Sequence, residues 1–270
     1  MVVDVDSKKI IFDEHGYGFF SNCNEILRST INTCLYHNFL FELEIPNGWS
    51  LYKDEQNESI YTKFFKPNEI IFEIEKDTFL VEGQGDQYSN YKLINYKFVT
   101  PFVKKYFSLS DEVLSIVKEL EDKYNINYEN TIAVLYRGNN KITETELPSY
   151  EVIDNKLNEI KLKFPNHKII IQSDEQEFCD FMLKHENSFV FDESLKINCS
   201  PSAHITQIIP QGFRVKNAQI FLAIMSIISK CKVVVLNSGN VGMWVCLFRG
   251  NAKNIYQYLN YQMISGKWTD

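Results

Sequence analysis

Arg137 and Lys141 are the side chains whose positions in the sequence most directly suggest chemistry. An apolar run at residues 132–136 leads without a break into Arg137, and a Gly-Asn-Asn turn then leads to Lys141. Open α/β sheets bind their ligands where strands end in polar turns. We therefore predict that Arg137 and Lys141 meet an anionic ligand. A surface ion pair at a strand end is the alternative for Arg137.

A second polar strand end lies near the C-terminus of the sequence. The run VVVLN leads into Ser238, Gly239 and Asn240, and a helix is predicted from about Gly242. Backbone N–H groups and a serine hydroxyl at a helix N-terminus can bind phosphate. These residues are therefore predicted to bind an anion. The alternative is that they only turn the chain and cap the helix.

The sequence QSDE supplies a third polar strand end, with Asp174 and Glu175. Strand carboxyl ends in a parallel sheet converge on one edge. Because three polar ends are predicted at that edge, we expect them to form one site.

The elements that position these ends alternate along the second half of the chain. Strands are predicted at residues 132–136 and in KIIIQSDE, SFVF and KVVVLNS. Helices are predicted in SLSDEVLSIVKELEDKYNI and EFCDFMLKH, near 150–163, at 215–230 and from about 242. This order predicts an α/β fold with a parallel sheet and helices on both faces. The sequence NIYQYLN is predicted to be terminal packing beside an apolar helix face.

The first half of the sequence is less regular. KKIIF is predicted to be a strand, and CNEILRSTINTCLYH to be a helix. The pieces SIYTKFF, EIIFEIE, TFLVEGQG and YKLINYKFV are predicted to be short strands or loops. With a domain boundary between residues 107 and 128, we predict one lobe at 1–115, a second lobe at 116–270 and a cleft between them.

Composition limits the classes of partner. The 270 residues are 44% hydrophobic and 14% aromatic, which favours a substantial packed core. A net charge of -7 gives no footprint for nucleic acid or anionic membranes. The six cysteines form no CxxC pair and are predicted to be reduced core thiols. With no signal peptide or apolar run long enough to span a bilayer, we expect a soluble, cytoplasmic protein.

The order and spacing of these motifs resemble the nucleotide-sugar domain of the GDP-fucose glycosyltransferases. That family includes the α-1,6-fucosyltransferases, the nodulation fucosyltransferases and the protein O-fucosyltransferases. The resemblance rests on YRGNNK, QSDE and LNSGNVGMW in the second half and on HGYGFFSNCNEILRS in the first. It implies a GT-B-like fold of two Rossmann-like lobes, with the acceptor side in the N-terminal lobe.

The resemblance also implies roles for individual residues. Arg137 matches the arginine that contacts the nucleotide phosphates, and Lys141 matches the lysine of the same turn. The remaining expected donor-binding residues are the acidic pair, the serine region and two contacts from the first lobe: Asp174, Glu175, Ser238, Gly239, Asn240, Ser21 and Asn22. His15, in the glycine-containing loop, is a further side chain that could face the cleft.

The expected activity is inverting, metal-independent transfer from a GDP-sugar, with fucose as the first choice, to a glycan or other hydroxyl acceptor. A nucleoside diphosphate leaves readily when fixed donors meet its developing charge, so no acid is required. Inverting transfer needs a base, for which Glu144 is the first candidate and Glu146 the second. Solvated loop carboxylates are the alternative for both. Arg137, Lys141 and Glu144 are thus the predicted catalytic residues, and no cofactor or metal is expected.

Two other functions remain open from the sequence. The protein could transfer a different nucleotide sugar, because Asn140 stands where the family usually has aspartate. It could also be a catalytically silent nucleotide- or sugar-binding module. Transfer or hydrolysis of a sugar nucleotide distinguishes an enzyme from such a module.

Overall fold

The structure is a computed structural model that describes residues 1–12, 18–55, 58–77, 87–197, 208–261 and 264–269. Within these residues the strands are β1 (Val2–Asp4), β2 (Lys9–Ile11), β3 (Glu42–Glu44), β4 (Thr131–Tyr136), β5 (Lys168–Ser173), β6 (Ser188–Val190), β7 (Val233–Asn237), β8 (Ile255–Tyr261) and β9 (Ile264–Thr269). The helices are α1 (Phe19–His37), α2 (Tyr61–Phe64), α3 (Tyr96–Tyr106), α4 (Asp111–Lys123), α5 (Tyr150–Lys163), α6 (Gln176–Met182), α7 (Arg214–Lys230) and α8 (Asn240–Arg249).

The second half of the described chain forms a six-stranded sheet in the order β6-β5-β4-β7-β8-β9. Neighbouring strands are parallel from β6 to β8, and β9 runs antiparallel to β8 at the edge. Val134 of β4 lies opposite Ile171 of β5 on one side and Val235 of β7 on the other. The predicted α/β fold with a parallel sheet is confirmed.

Both faces of this sheet are buried. Val134 packs with Leu157 of α5 and Phe178 of α6 on one face. Leu135, the next residue of β4, belongs to the larger cluster on the other face, together with Leu222 of α7. Strands covered on both faces are apolar along their whole length, and this is why the sequence predicted them as uninterrupted apolar runs.

Helix α4 forms where the sequence places its start signal. The hydroxyl of Ser110 accepts a hydrogen bond from the N–H of Val113 at 3.3 Å, and Asp111 and Glu112 occupy the first turn. Acidic side chains there interact favourably with the helix dipole. The predicted apolar face is buried: Val113, Ile116, Val117 and Leu120.

The region between β3 and α4 differs from its prediction. YKLINYKFV contributes to α3, which the side chain of Asn95 caps by accepting from the N–H of Phe98 at 3.2 Å. Phe98, Phe102 and Tyr106 recur at helical spacing and are buried, so the 3.6-residue period outweighed the strand preference of these aromatic residues. SIYTKFF contains α2, EIIFEIE forms neither helix nor strand, and TFLVEGQG lies outside the described residues.

The C-terminal segment was predicted to be terminal packing, and its strand structure was not foreseen. NIYQYLN lies in β8 and adjoining residues, and β8 extends the sheet by pairing parallel to β7. The last described strand, β9, pairs with β8 through Tyr258 opposite Trp268. In β8 and β9, apolar and polar residues alternate with the period of a strand. In segments this short, the number of apolar residues does not distinguish a strand from the apolar face of a helix.

One hydrophobic cluster extends through both halves of the chain. The ring of Phe20 in α1 stacks on Trp244 in α8 with centroids 5.7 Å apart, and Phe107 packs against the same ring at 4.8 Å. The first half adds a three-stranded sheet in the order β1-β2-β3. The predicted boundary at residues 115 and 116 falls inside α4, which packs on α7.

The described cysteines agree with the prediction of reduced core thiols. All five of them are free and buried: Cys23, Cys34, Cys179, Cys231 and Cys246. Cys199 lies outside the described residues. In the part of the chain that the structure describes, no helix combines the length and apolar character needed to cross a membrane.

Candidate functional site

A cavity of about 500 Å³ lies at the carboxyl ends of β4, β5 and β7. This is the edge at which open α/β sheets bind ligands. Of the predicted site residues, those that line it are Ser21, Arg137, Lys141, Glu144, Asp174, Gly239 and Asn240. The remaining three, Asn22, Glu175 and Ser238, are not part of the lining.

Arg137 follows directly on β4 and is fixed from two sides. Its backbone N–H donates to Oδ1 of Asn237 at 2.9 Å, and Nδ2 of Asn237 donates back to the carbonyl of Arg137 at 3.0 Å. Its guanidinium donates to the carboxylate of Asp174 and to the carbonyl of Gly138. The side chain keeps 27% of its surface exposed, so it is both anchored and open to the cavity.

Asp174 and Glu175 hold the turn after β4. Oδ1 of Asp174 accepts from the N–H of Gly138 at 2.9 Å, and the Glu175 carboxylate accepts from the N–H of Asn139 and from the hydroxyl of Tyr150. A Cβ at residue 138 would lie 2.1 Å from Oε1 of Glu175, so a larger residue there would displace the carboxylate that binds the N–H of Asn139. In this arrangement the acidic pair positions Arg137 and its turn.

Lys141 and the start of α8 share one acceptor, the side chain of Gln87. Nζ of Lys141 and the N–H of Asn240 donate to Oε1 of Gln87 at 2.9 and 3.0 Å. The backbone carbonyl of Gln87 accepts from the N–H of Gly239 at 3.1 Å. Gly239 has φ 152°, a conformation open mainly to glycine. An amide oxygen therefore lies where the cation and the helix N-terminus point. We call the group Arg137, Lys141, Gly239 and Asn240 the anion end.

Ser238 is fully buried below the anion end. Its hydroxyl donates to the carbonyl of Tyr258 at 3.0 Å and accepts from Nε2 of Gln257 at 2.9 Å. Gln257 also joins the backbone of Ser89 and Tyr91 to this network. The role of Ser238 in this structure is to tie β7 to β8 and to residues 89–91.

The two predicted contacts from the first half lie in the first turns of α1. Ser21 lines the cavity, whereas Asn22 is buried and its Nδ2 donates to the carbonyl of Gly18 at 3.3 Å. His15 lies outside the described residues.

Glu144, the first candidate base, is paired with Lys141. Its Oε2 lies 2.6 Å from Nζ of Lys141 and accepts from the hydroxyl of Tyr88 at 3.0 Å. Partial burial favours the protonated carboxyl, but the hydrogen bond and charge of Lys141 outweigh it and lower the pKa of Glu144. Glu144 therefore stays ionised at neutral pH. Glu146 is not part of the cavity lining.

Part of the cavity lining, from the residues that follow β6 and from α7, is apolar. Leu195, Ile209, Ile220 and Phe221 form it, and the buried side chain of Gln172 lies among the lining residues. We call these five residues the apolar end. Glu193, which pairs with Lys123 at 2.6 Å, also lines the cavity.

The sequence did not single out Gln87, Gln172 or Gln257. Gln172 had a visible signal, because it is a polar residue directly after the apolar run Ile169–Ile171 of a predicted buried strand. Nothing in the sequence distinguished Gln87 or Gln257. Gln87 precedes a segment that was predicted to be short strands or loops, and Gln257 lies in β8, which was not predicted as a strand.

Among the side chains that the structure describes, no group of three histidine, cysteine, aspartate or glutamate residues is arranged to hold a metal ion. Metal independence stays a prediction.

Known proteins of similar structure include fucosyltransferases. No family model and no curated protein matches the sequence. A NodZ α-1,6-fucosyltransferase soaked with GDP-fucose has a TM-score of 0.63 and 11% identity, over 98% of this chain and 99% of that chain. NodZ from Bradyrhizobium has a TM-score of 0.57 and 11% identity, over 93% of this chain and 96% of that chain. NodZ co-crystallised with GDP has a TM-score of 0.57 and 11% identity, over 93% of this chain and 95% of that chain. At this identity the likeness is one of fold: the chain has the mixed α/β fold of these fucosyltransferase structures over nearly its whole length.

Proposed function

We propose that the protein is a glycosyltransferase that uses a GDP-sugar, with GDP-fucose as the first donor to test. The observation that carries this proposal is the anion end, where Arg137, Lys141 and the start of α8 meet at one cavity. The fold supports it, because structures of the same fold were obtained with GDP and GDP-fucose.

The proposed chemistry needs little beyond this arrangement. The bond between the sugar C1 and the β-phosphate oxygen breaks while an acceptor hydroxyl attacks C1 from the opposite face, which inverts the anomeric centre. Arg137 and the N–H groups at the start of α8 stabilise the charge that develops on the leaving diphosphate. We assign Glu144 as the base, although its pairing with Lys141 makes it a weak proton acceptor. The reaction is proposed to require no metal.

We also propose that the two halves of the chain have different roles. Residues 1–115 supply the acceptor side and residues 116–270 bind the nucleotide sugar, in a GT-B-like arrangement. The acceptor is a glycan or another molecule with a hydroxyl group.

A catalytically silent binding module is the second candidate. It is favoured by the internal partners that Gln87 and Glu144 already provide for Lys141. Such a module would bind GDP and neither transfer nor hydrolyse the sugar.

The donor is tested by thermal shift with GDP, UDP, ADP and CMP, each with and without EDTA. A ligand at 100 times its Kd stabilises a protein by about 2.7 kcal/mol. We expect protection by GDP that EDTA does not remove. Protection by UDP without protection by GDP would contradict the GDP assignment. Release of fucose or its transfer from GDP-fucose then separates the enzyme from the silent module.

A further inference from the structure

Gln172 is a buried polar side chain at the apolar end of the cavity. It occupies the position in β5 opposite Leu135 of β4 and is 4% exposed. Two residues earlier along the same face of β5, Ile170 belongs to the large hydrophobic cluster. An apolar residue would therefore continue the row, and the glutamine requires a separate explanation.

The hydrogen bonds of Gln172 fix the orientation of its amide. Nε2 lies 3.2 Å from the carbonyl of Ser173 and 2.8 Å from Oγ of Ser194. A backbone carbonyl only accepts, so the atom that faces it is the nitrogen, and Oε1 is the remaining acceptor. Among the described residues, Oε1 has no hydrogen-bond partner.

A buried hydrogen-bond acceptor without a partner is unfavourable and uncommon. This indicates that a ligand in the cavity can donate a hydrogen bond to Oε1 of Gln172. Gln172 lines the same cavity as the anion end. Gln172 on β5 and the start of α8 after β7 are set apart along the sheet edge, because β5 and β7 lie on opposite sides of β4 and are therefore roughly 10 Å apart. In a nucleoside diphosphate, a ribose similarly separates the phosphates from the base.

We propose that Gln172 is a specificity-determining residue whose Oε1 accepts a hydrogen bond from an N–H on the edge of the donor's nucleobase. Leu195, which lines the same cavity and directly follows the Ser194 that Gln172 contacts, provides an apolar contact for the base. Guanine fits because its edge carries a ring N–H and an adjacent amine. This inference rests on the proposed function, since it names the residue that recognises the nucleotide.

The test compares two buried glutamines. Gln172→Met removes the amide at the cavity. The matched control is Gln219→Met in α7, because Gln219 is also 4% exposed but donates to the carbonyl of Lys63 and to Glu112, away from the cavity lining. Affinities for GDP and for inorganic pyrophosphate are measured by calorimetry. If Gln172→Met does not fold, the same affinities are measured with Gln172→Leu, whose side chain has a different shape.

We expect Gln172→Met to weaken GDP binding about tenfold, which corresponds to about 1.4 kcal/mol, and to leave pyrophosphate binding unchanged. Gln219→Met should bind both ligands as the parent does. If the parent and Gln172→Met bind GDP equally, or if pyrophosphate binding falls in parallel with GDP binding, this inference is overturned and the proposed function stands. A parent that binds no nucleoside diphosphate overturns both.

Discussion

The two ends of the cavity differ in how their polar groups are satisfied. At the anion end, Arg137 is bonded to Asp174, and Lys141 and the N–H of Asn240 are bonded to Gln87. At the apolar end, the oxygen of Gln172 has no hydrogen-bond partner among the described residues.

Under the proposed function, this difference separates two tasks of a nucleotide site. Charged groups are long and flexible, and internal partners keep them in position before a ligand arrives. The neutral amide of Gln172 is held in place by its two donated hydrogen bonds, to the carbonyl of Ser173 and to Ser194. The anion end is therefore expected to govern affinity and rate, and the apolar end to govern the choice of base.

The largest expected effect is at Arg137. Arg137→Ala should reduce transfer from GDP-fucose about 100- to 1,000-fold, the usual loss when a donor to developing charge is removed. Arg137→Lys should recover only part, because an ammonium cannot reproduce a planar fork of donors. Single-turnover assays measure the rate, and thermal unfolding measures stability.

Asp174 is the control for Arg137, since the two side chains are paired and Asp174 is 14% exposed. Arg137→Ala leaves that carboxylate without its cation and should lower the free energy of unfolding by about 1.5 kcal/mol. If Asp174→Asn loses as much stability and transfer remains near the parental rate in Arg137→Ala, Arg137 is a structural ion-pair residue. The proposal that the diphosphate binds at the anion end would then be wrong.

A smaller effect is expected at Gln87. Gln87→Ala keeps the backbone bond to Gly239 and removes the amide oxygen that lies between Lys141 and Asn240. Because a phosphate oxygen would no longer compete with that amide, GDP should bind about fivefold more tightly, the worth of one net hydrogen bond. Calorimetric titration with GDP measures the change. Weaker binding would mean that Gln87 positions Lys141 for the ligand.

The smallest effect concerns Glu144 and pH. Its pKa is lowered in the folded protein, so the stability from its pair with Lys141 is fully present above its ordinary pKa of 4.5. That stability is lost as pH falls through the lower folded value. Glu144→Gln should therefore reduce stability by less than about 1 kcal/mol, since the side chain is 46% exposed, and by a constant amount from pH 6 to 8.

Unfolding of the parent and Glu144→Gln by urea at several pH values measures this difference. A difference that grows between pH 8 and pH 6 would contradict the lowered pKa. It would also make Glu144 a stronger candidate for the catalytic base, because a base works best when its pKa is near the working pH.

How well the sequence predicted the structure varied with the range of the interactions. The strands β4, β5 and β7 and the convergence of their ends were predictable, because long apolar runs and strand order are sequence properties. The role of Asp174 was not, because its contact with Arg137 joins residues on different strands. Gln87 was not predictable either, since its partners lie 54 and 153 residues away in the chain.

The aromatic packing shared by the two halves has a thermodynamic consequence. Phe20, Phe107 and Trp244 come from three distant parts of the sequence, and each is almost completely buried. Shortening such a ring to alanine typically removes about 3–5 kcal/mol, a large fraction of the stability of a domain. Neither half could melt without exposing this surface, so the chain is expected to unfold cooperatively as one unit. Because Phe20 also lines the cavity, the shape of the cavity depends on the same packing.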